Sequence, residues 1–344
     1  MEKIVLLIIV VLALSGQIIA QKSPEPDSLY QEIIQKFKLE FEKIDHANRS
    51  LTDSVGALRA LEFEELYNKY PESESGKKGL VVAFKGWLNV DSLDIMGVYI
   101  NNISPDSDLW GDLIPWYNFA LMNSGAKPDK FYNYLKSILK TESVKNPNNL
   151  SYIYSELGSL EMIINSDTLE TRKYFEKVIE INTDSFEVEA AKRDLYDLNK
   201  LQIGNQLPGF RAKDIAGNVI DTRDFEGKYI LIEFWATWCG PCIPEIPYLK
   251  KAYDDFGDRE DFKIIGVSLD TDRVKLKEFL EENEIKWTQI IDEGGAGKWS
   301  GKLGTLFAVG NGIPKTFLID KEGKIIAKEL RKERLNEILS QHLD

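Results

Sequence analysis

The spacing of apolar side chains predicts helix after helix between residues 27 and 200. Two sets of apolar residues follow steps of about three and four, which places each set on one face of a helix. The first set is Tyr30, Ile34, Phe37, Phe41 and Ile44, and the second is Val55, Leu58, Leu61 and Leu66. Proline-containing segments predict the helix ends, at residues 70–71, 104–106, 125–128 and 146–149. We therefore predict an all-α irregular helical array in this part of the chain.

Two short segments of the array resemble each other. Residues 134–139 and 174–179 share an aromatic and aliphatic pattern, and their offset of 40 residues (174 − 134 = 40) is close to the length of a helical-hairpin repeat. The later segment, extended to Leu198, resembles a degenerate tetratricopeptide unit. We expect the apolar positions of this domain, residues 27–200, to form its core. The alternative is a concave groove that binds a partner chain.

The pattern changes after Ile203, where glycine and proline residues predict a short linker. We predict strands at 210–213, 218–221, 229–234, 262–269, 287–291, 316–319 and 325–329. Helices are predicted at 241–256, 274–283 and 335–343. The alternation of strands and helices predicts an α/β domain at 203–344, with a mixed central sheet flanked by helices.

An apolar run lies near Met1. Residues 1–3 include a lysine and precede the apolar residues 4–14, and a second short run ends at Ala20 before a polar, proline-containing segment. This order predicts a secretory signal at 1–20, and therefore an exported, periplasmic protein. Ile18 is bulky where signal peptidase prefers a small residue, so a membrane anchor through residues 4–20 stays open. No cysteine follows the run, which excludes a lipoprotein anchor.

The net charge and the cysteine content limit which partners and which chemistry are possible. The net charge of −13 argues against nucleic acid or an anionic membrane surface as a partner. Cys239 and Cys242 are the two cysteines of the chain. A secreted protein of 344 residues needs no disulfide to hold its core, and so short a loop adds little stability. A chemical role therefore explains the pair better than an architectural one.

The tetrad Cys239-Gly240-Pro241-Cys242 lies where a predicted buried strand gives way to a predicted helix. Unpaired amides and the positive end of the dipole at a helix N-terminus stabilise a thiolate, and lower the thiol pKa from about 8.5 toward about 7 or below. We expect Cys239 to be the attacking nucleophile and Cys242, one turn further and more buried, to resolve the mixed disulfide. Pro241 suits the first helical turn, and Gly240 lets a substrate disulfide approach.

Two other interpretations of the pair are a zinc site and an inert structural disulfide. Zinc takes four ligands, and beyond the two cysteines the chain offers only His46 and His342 as nitrogen ligands. An inert disulfide is disfavoured because its short loop would stabilise the fold little. We therefore predict thiol chemistry without a metal and without a cofactor.

The residues around the tetrad resemble a known active-site stretch. Residues 234–242, Phe-Trp-Ala-Thr-Trp-Cys-Gly-Pro-Cys, are similar to the active site of thioredoxins, and in particular of the exported TlpA/ResA-like family. Residues 312–320, Gly-Ile-Pro-Lys-Thr-Phe-Leu-Ile-Asp, resemble the cis-proline segment of that family. The resemblance covers roughly residue 203 to the C-terminus. It implies a thioredoxin fold and a redox disulfide between Cys239 and Cys242.

The same resemblance implies roles for residues near the cysteines. Pro314 is expected to be cis and to lie against the cysteine pair, and the Ile313 backbone is expected to pair with the substrate chain. Trp238 is expected to shield the thiols at the surface. Together with Gly240 and Pro241, these residues are the predicted substrate-binding set.

Two carboxylates are further catalytic candidates. Glu233 precedes Cys239 by six residues on a predicted buried strand, where burial would raise its pKa and allow proton exchange with Cys242. Glu245 follows Cys242 by three residues and matches the acidic position of the family pattern Cys-x-x-Cys-x-x-Glu-x-Pro, to which the family attributes tuning of the cysteine pKa values. A surface acid at Glu245 and a strand-edge acid at Glu233 are the alternatives.

The resemblance implies an extracytoplasmic thiol–disulfide oxidoreductase that reduces protein disulfides and receives electrons from a membrane thiol donor. A thiol peroxidase is one alternative, but that family has a proline seven residues before its reactive cysteine, and position 232 is isoleucine. Another alternative is a helical adaptor that binds a partner and has incidental redox activity.

Overall fold

The computed structural model of the chain describes residues 25–43, 49–88, 93–181, 186–292 and 301–343. The predicted signal or anchor at 1–20 lies outside these residues. The chain divides into two compact units, one ending at Asn149 and the other beginning at Leu150. Across the described ranges, no helix has the length and apolar character needed to cross a bilayer.

Helices occupy the described residues up to 200, as the apolar pattern predicts. In chain order they are α1 (Pro26–Phe41), α2 (Arg49–Lys69), α3 (Glu74–Trp87), α4 (Leu93–Asn102), α5 (Asp108–Asn123), α6 (Pro128–Lys140), α7 (Pro147–Ile164), α8 (Thr168–Ile181) and α9 (Phe186–Lys200). Ser73 and Ser107 precede α3 and α5, and each side chain accepts a hydrogen bond from an amide of the first helical turn. The predicted breaks all fall at boundaries between these helices, and Pro128 and Pro147 are the first residues of α6 and α7.

The apolar face predicted for α2 is wrong in part. Leu58 and Leu61 are 55% and 48% exposed, whereas Ala60, Phe63 and Leu66 are buried. The reason is helical geometry, because the five steps from Leu61 to Leu66 place the two side chains about 140° apart around the helix axis. The buried face of α2 therefore follows Phe63 and Leu66 rather than the two leucines before them.

The C-terminal part contains a five-stranded mixed sheet and a small hairpin. The strands are β1 (Arg211–Lys213), β2 (Val219–Asp221), β3 (Tyr229–Trp235), β4 (Phe262–Ser268), β5 (Thr288–Ile291), β6 (Lys315–Ile319) and β7 (Ile325–Lys328). β1 and β2 form the predicted hairpin, and the large sheet has the order β5-β4-β3-β6-β7. β3 is parallel to β4 and antiparallel to β6, so the predicted mixed sheet is confirmed.

Helices cover both faces of this sheet. They are α10 (Ile246–Phe256), α11 (Arg273–Glu282), the short α12 (Lys302–Leu306) and α13 (Lys332–Leu343). Leu231 of β3 packs with residues of α10 and α13, whereas Ile232 and Phe234 belong to a cluster on the other face that includes Phe307 and Leu201. Successive side chains of β3 point to opposite faces of the sheet. Because helices cover both faces, β3 is apolar almost throughout.

The fold class is thus an N-terminal all-helical region followed by a thioredoxin-like α/β domain, as predicted. The second compact unit contains the helices from residue 150 onward together with the sheet. The domain boundary predicted at 200–203 stays a prediction.

Candidate active site

The two cysteines lie in turns that follow the central strand. Cys239 and Cys242 are joined by a disulfide with an S–S distance of 1.96 Å and a Cα–Cα distance of 5.3 Å. Their exposed fractions are 4% and 1%, so Cys239 is the more accessible by a small margin. The predicted pairing of the two cysteines is present in the structure.

The helix predicted to begin at Pro241 begins later. A 3₁₀ turn spans Ile243–Glu245, and the α-helix α10 starts at Ile246. The reason is the proline spacing, because the prolines at 241, 244 and 247 lack the amide hydrogen that an α-helical ladder requires. The amides between them instead bond three residues back, as in Cys242 N to Cys239 O at 3.0 Å.

The cis-proline segment lies directly against Cys239. The Ile313–Pro314 peptide bond is cis, and Cys239 Sγ lies 3.6 Å from Ile313 O. Antiparallel pairing of β6 with β3 brings this segment to the strand end that carries the cysteines. The prediction that Pro314 is cis and close to the pair is confirmed.

Arg331 fixes the cis-proline segment through hydrogen bonds to backbone carbonyls, a role for which the sequence offered no signal. Its guanidinium donates hydrogen bonds to Pro314 O and, at 2.8 Å, to Leu330 O. It also donates to Thr316 Oγ1 at 3.2 Å and forms an ion pair with Glu329 at 2.6 Å. A single cation thus fixes the carbonyl of Pro314 relative to the following strand.

Asp270 performs a similar task for the turn before the cysteines. Its carboxylate accepts hydrogen bonds from Thr237 N at 3.0 Å and from Thr237 Oγ1 at 2.6 Å. Ser268 Oγ donates a further bond of 2.7 Å, and Asp270 is 6% exposed. The sequence did contain a signal for Asp270, because it comes just after the strand β4. The carboxyl ends of parallel strands meet at one edge of a sheet, so Asp270 could be expected near the cysteines that follow β3.

Glu233 is a buried acid in the middle of the sheet. It is 3% exposed and pairs in register with Gly266 of β4 and Thr316 of β6. Burial raises the pKa of the Glu233 carboxyl to about 8. The positive charge of Arg331 opposes this shift, and the negative charge of Glu245 adds to it. The structure therefore supports a buried acid rather than a strand-edge acid at this position.

Glu245 is also buried, with 7% of its surface exposed. Its amide donates to Cys242 O at 3.0 Å, which places it one 3₁₀ step past the second cysteine. Its Oε2 accepts a 2.7 Å hydrogen bond from Lys332 N at the start of α13. The carboxylate therefore lies inside the domain near Glu233, not on the surface; its role in tuning the cysteines stays a prediction.

The predicted substrate-binding residues beside the disulfide carry no charge, and three of them are exposed. Trp238 is 41% exposed, and Gly240 and Pro241 are exposed beside it. A Cβ added to Gly240 would meet no atom within 4 Å, so the space next to the disulfide is open. Ile313 is 9% exposed and borders the disulfide on the other side. The predicted substrate-binding residues are brought together, and their contacts with substrate stay predictions.

The reactive groups of the site are the two cysteine sulfurs. Among the described residues, no group of three or more histidine, cysteine, aspartate or glutamate side chains could hold a metal ion. A disulfide beside a cis-proline, in a domain that also buries an acid of raised pKa, can accept two electrons from a dithiol and, once reduced, pass them to another disulfide.

Comparison with known proteins identifies relatives of the C-terminal part of the chain. A family model described as the AhpC/TSA family matches residues 203–328. Thiol-disulfide oxidoreductase ResA of Bacillus cereus is 34% identical over 148 residues, which cover 42% of this chain and 81% of that protein. ResA of Oceanobacillus iheyensis is 31% identical over 137 residues, or 38% of this chain and 67% of that protein.

Among solved structures, the thioredoxin domain of a thiol-disulfide oxidoreductase from Bacteroides vulgatus is 34% identical, with a TM-score of 0.37, covering 42% of this chain and 100% of that one. A thiol-disulfide oxidoreductase from Bacteroides fragilis is 26% identical, with a TM-score of 0.37. The match covers 40% of this chain and 100% of that one. The sequence identity to ResA over most of its length, together with the closed disulfide beside a cis-proline, leads to one conclusion: the chain belongs to the family of ResA-type thiol-disulfide oxidoreductases, with its site in the segment that the AhpC/TSA model matches.

Proposed function

We propose that the protein is a disulfide reductase that acts on protein disulfides outside the cytoplasm. The observation that carries the proposal is the contact between Cys239 Sγ and Ile313 O at 3.6 Å, within an accessible rim of Trp238, Gly240 and Pro241. A substrate chain that pairs with the Ile313 backbone would bring its own disulfide to the Cys239 sulfur. These residues carry no charge, which suits an unfolded or extended protein segment better than a charged small molecule.

The reaction is a pair of thiol–disulfide exchanges. In the reduced protein, the Cys239 thiolate attacks one substrate sulfur, forms a mixed S–S bond and releases the other substrate sulfur as a thiolate. Cys242 then loses its proton, attacks the Cys239 sulfur and expels the second substrate thiolate. The substrate gains two electrons and the cysteine pair loses two, which leaves the closed disulfide present in the structure. A dithiol donor, for which we propose a membrane thiol protein, restores the reduced pair.

We propose that Glu233 exchanges a proton with Cys242. Its pKa of about 8 lies close to that of an ordinary thiol, about 8.5, so a proton can pass between the two groups in either direction. Glu245 is linked to both groups, since its amide donates a hydrogen bond to Cys242 O and its charge raises the pKa of Glu233. These observations support the proposal that both carboxylates influence the second exchange step.

The proposed direction rests on the residues between the cysteines. Gly-Pro resembles reducing thioredoxins, whose potential is near −270 mV, rather than the strongly oxidising DsbA type at about −120 mV. The proposed location rests on the apolar run at residues 4–20.

Trapping of substrates in the full chain tests the proposal. Cys242→Ser keeps the attacking sulfur but cannot resolve the mixed disulfide, so substrates should accumulate bound to Cys239 and be identified by mass spectrometry. Cys239→Ser is the matched control and should retain few. We also expect a reduction potential near that of thioredoxin. Equal trapping by both variants, or a potential above about −200 mV, would contradict the reductase assignment. Peroxide consumption that survives loss of Cys242 would favour the peroxidase alternative.

A further inference from the structure

Helix α9 places one carboxylate between two lysines of the sheet. Asp197 Oδ2 lies 2.7 Å from Lys315 Nζ, and its Oδ1 lies 2.7 Å from Lys328 Nζ. The side-chain amide of Gln202 donates a further hydrogen bond of 2.8 Å to Oδ1. The three charged side chains are between 9% and 18% exposed, so solvent screens their attraction only weakly.

Lys315 connects this ion cluster with the cis-proline segment. It is the residue after the cis-proline, and its ammonium donates a second hydrogen bond, of 2.9 Å, to Ala308 O. The same ammonium therefore holds both ends of the segment 308–315. Between those ends lies Ile313, whose carbonyl contacts Cys239 Sγ. The geometry of the substrate-facing backbone thus depends on where one lysine side chain is held.

Other residues in and after α9 cover the same segment. Arg193 lies against Gly310, since a Cβ added to Gly310 would come within 2.5 Å of the guanidinium Nη1. Tyr196 and Leu201 pack in the apolar cluster that contains both cysteines. Helix α9 precedes residues 203–328, which the family model matches, and yet contributes to the interior of the active-site domain.

We propose that Asp197 is a positioning residue for the cis-proline segment and acts through Lys315. The carboxylate fixes the ammonium, the ammonium fixes Ala308 O and the start of β6, and the Ile313 backbone is held beside the Cys239 sulfur. The inference rests on the proposed pairing of Ile313 with substrate. Asp197 touches neither sulfur nor substrate, so its removal should affect alignment of a peptide substrate rather than the sulfur chemistry.

Loss of the carboxylate would leave two buried ammonium groups close together without a counter-charge. We expect Lys315 to turn toward water and to release Ala308 O, which lets the segment between them shift. A displacement of about 1 Å costs up to about a hundredfold in rate where alignment matters. A small aromatic disulfide such as Ellman's reagent has no peptide strand to align, and its reduction should be insensitive to this shift.

The test compares Asp197→Asn with Glu189→Gln in the full chain. Glu189 lies on the same helix, but its carboxylate is 73% exposed and pairs with Lys192 on the surface. We expect Asp197→Asn to lower kcat/KM for reduction of insulin disulfides about tenfold, mainly through a higher KM. Reduction of Ellman's reagent and the reduction potential should match wild type, and Glu189→Gln should match wild type in every assay.

A variant of Lys315 separates positioning from general damage. If Asp197 acts through Lys315, Lys315→Met should lower insulin reduction similarly, and adding Asp197→Asn to it should cause no further loss. Asp197→Glu, which keeps the charge, should restore most of the activity. The inference is overturned if Asp197→Asn equals Glu189→Gln on insulin, if Ellman's reagent is affected by the same factor, or if the two losses multiply. A wild-type chain that leaves insulin oxidised would contradict the proposed function itself.

Discussion

Replacement of Glu233 by glutamine should change how the stability of the protein depends on pH. The carboxyl is buried, and burial raises its pKa from an ordinary value of 4.5 to about 8. Between these values the folded protein keeps a proton that the unfolded chain has released, so the free energy of unfolding falls as pH rises. Glutamine has nearly the same shape and does not titrate, so this decline should be absent in Glu233→Gln.

The magnitude follows from the two pKa values. Each pH unit between them lowers the free energy of unfolding by about 1.4 kcal/mol. The whole interval of 3.5 units (8 − 4.5 = 3.5) corresponds to about 5 kcal/mol, and the 2.5 units crossed at pH 7 (7 − 4.5 = 2.5) to about 3 kcal/mol. Below pH 4.5 the group is protonated in both states and the difference vanishes. The variant should therefore be more stable than wild type at pH 7 and similar to it in acid.

Urea denaturation of the oxidised full chain between pH 4.5 and 8.5 measures this difference. Because the chain has two compact units, amide hydrogen exchange of strand β3 should be followed in parallel, so that the unfolding of the sheet is observed by itself. Glu278→Gln, at an exposed position of α11, is the control and should keep the pH profile of wild type. A constant difference between wild type and Glu233→Gln across this range, or a wild-type stability that rises with pH, would refute the reasoning.

Three further substitutions test other contacts of the site. Gly266→Ala places a Cβ within 2.3 Å of the Gln289 side chain, so that side chain must move, and we expect a loss of about 1–3 kcal/mol in urea unfolding; a loss below about 0.5 kcal/mol would contradict this. Asp270→Asn weakens the hydrogen bonds to the turn before the cysteines and should cost about 1–3 kcal/mol and lower kcat; an unchanged Tm would show that the turn does not depend on the carboxylate. Arg331→Met removes the cation that lowers the pKa of Glu233, so the stability decline should extend to higher pH, whereas Arg331→Lys should keep the wild-type profile.

The parts of the site that sequence could predict are those set by local pattern. The strand 229–234 is an apolar run interrupted only by Glu233, and the tetrad begins after four more residues, so both the strand and the pair of cysteines were expected where the structure has them. The start of α10 was misplaced because strand-to-helix spacing suggested an immediate helix. The proline spacing, which delays the helix to Ile246, was visible in the sequence and outweighs that signal.

The remaining contacts depend on residues far apart in the chain. Arg331 reaches Pro314 O across 17 residues, and Asp197 reaches Lys315 across 118. No sequence pattern indicates either pair. An arginine or aspartate in a polar segment has the same sequence context whether its side chain faces water or a buried partner. Only the packing of α9 and of the β7–α13 connection onto the sheet brings these groups together.

A fragment that begins at residue 203 would keep every strand and both cysteines and still lack part of its own interior. Lys315 and Lys328 would repel each other with no carboxylate between them, and the apolar contacts of Tyr196 and Leu201 would become exposed surface. We expect such a fragment to aggregate more readily than one that begins before α9. For fusion, duplication or exchange between proteins, the transferable piece is therefore longer than the segment that defines the family.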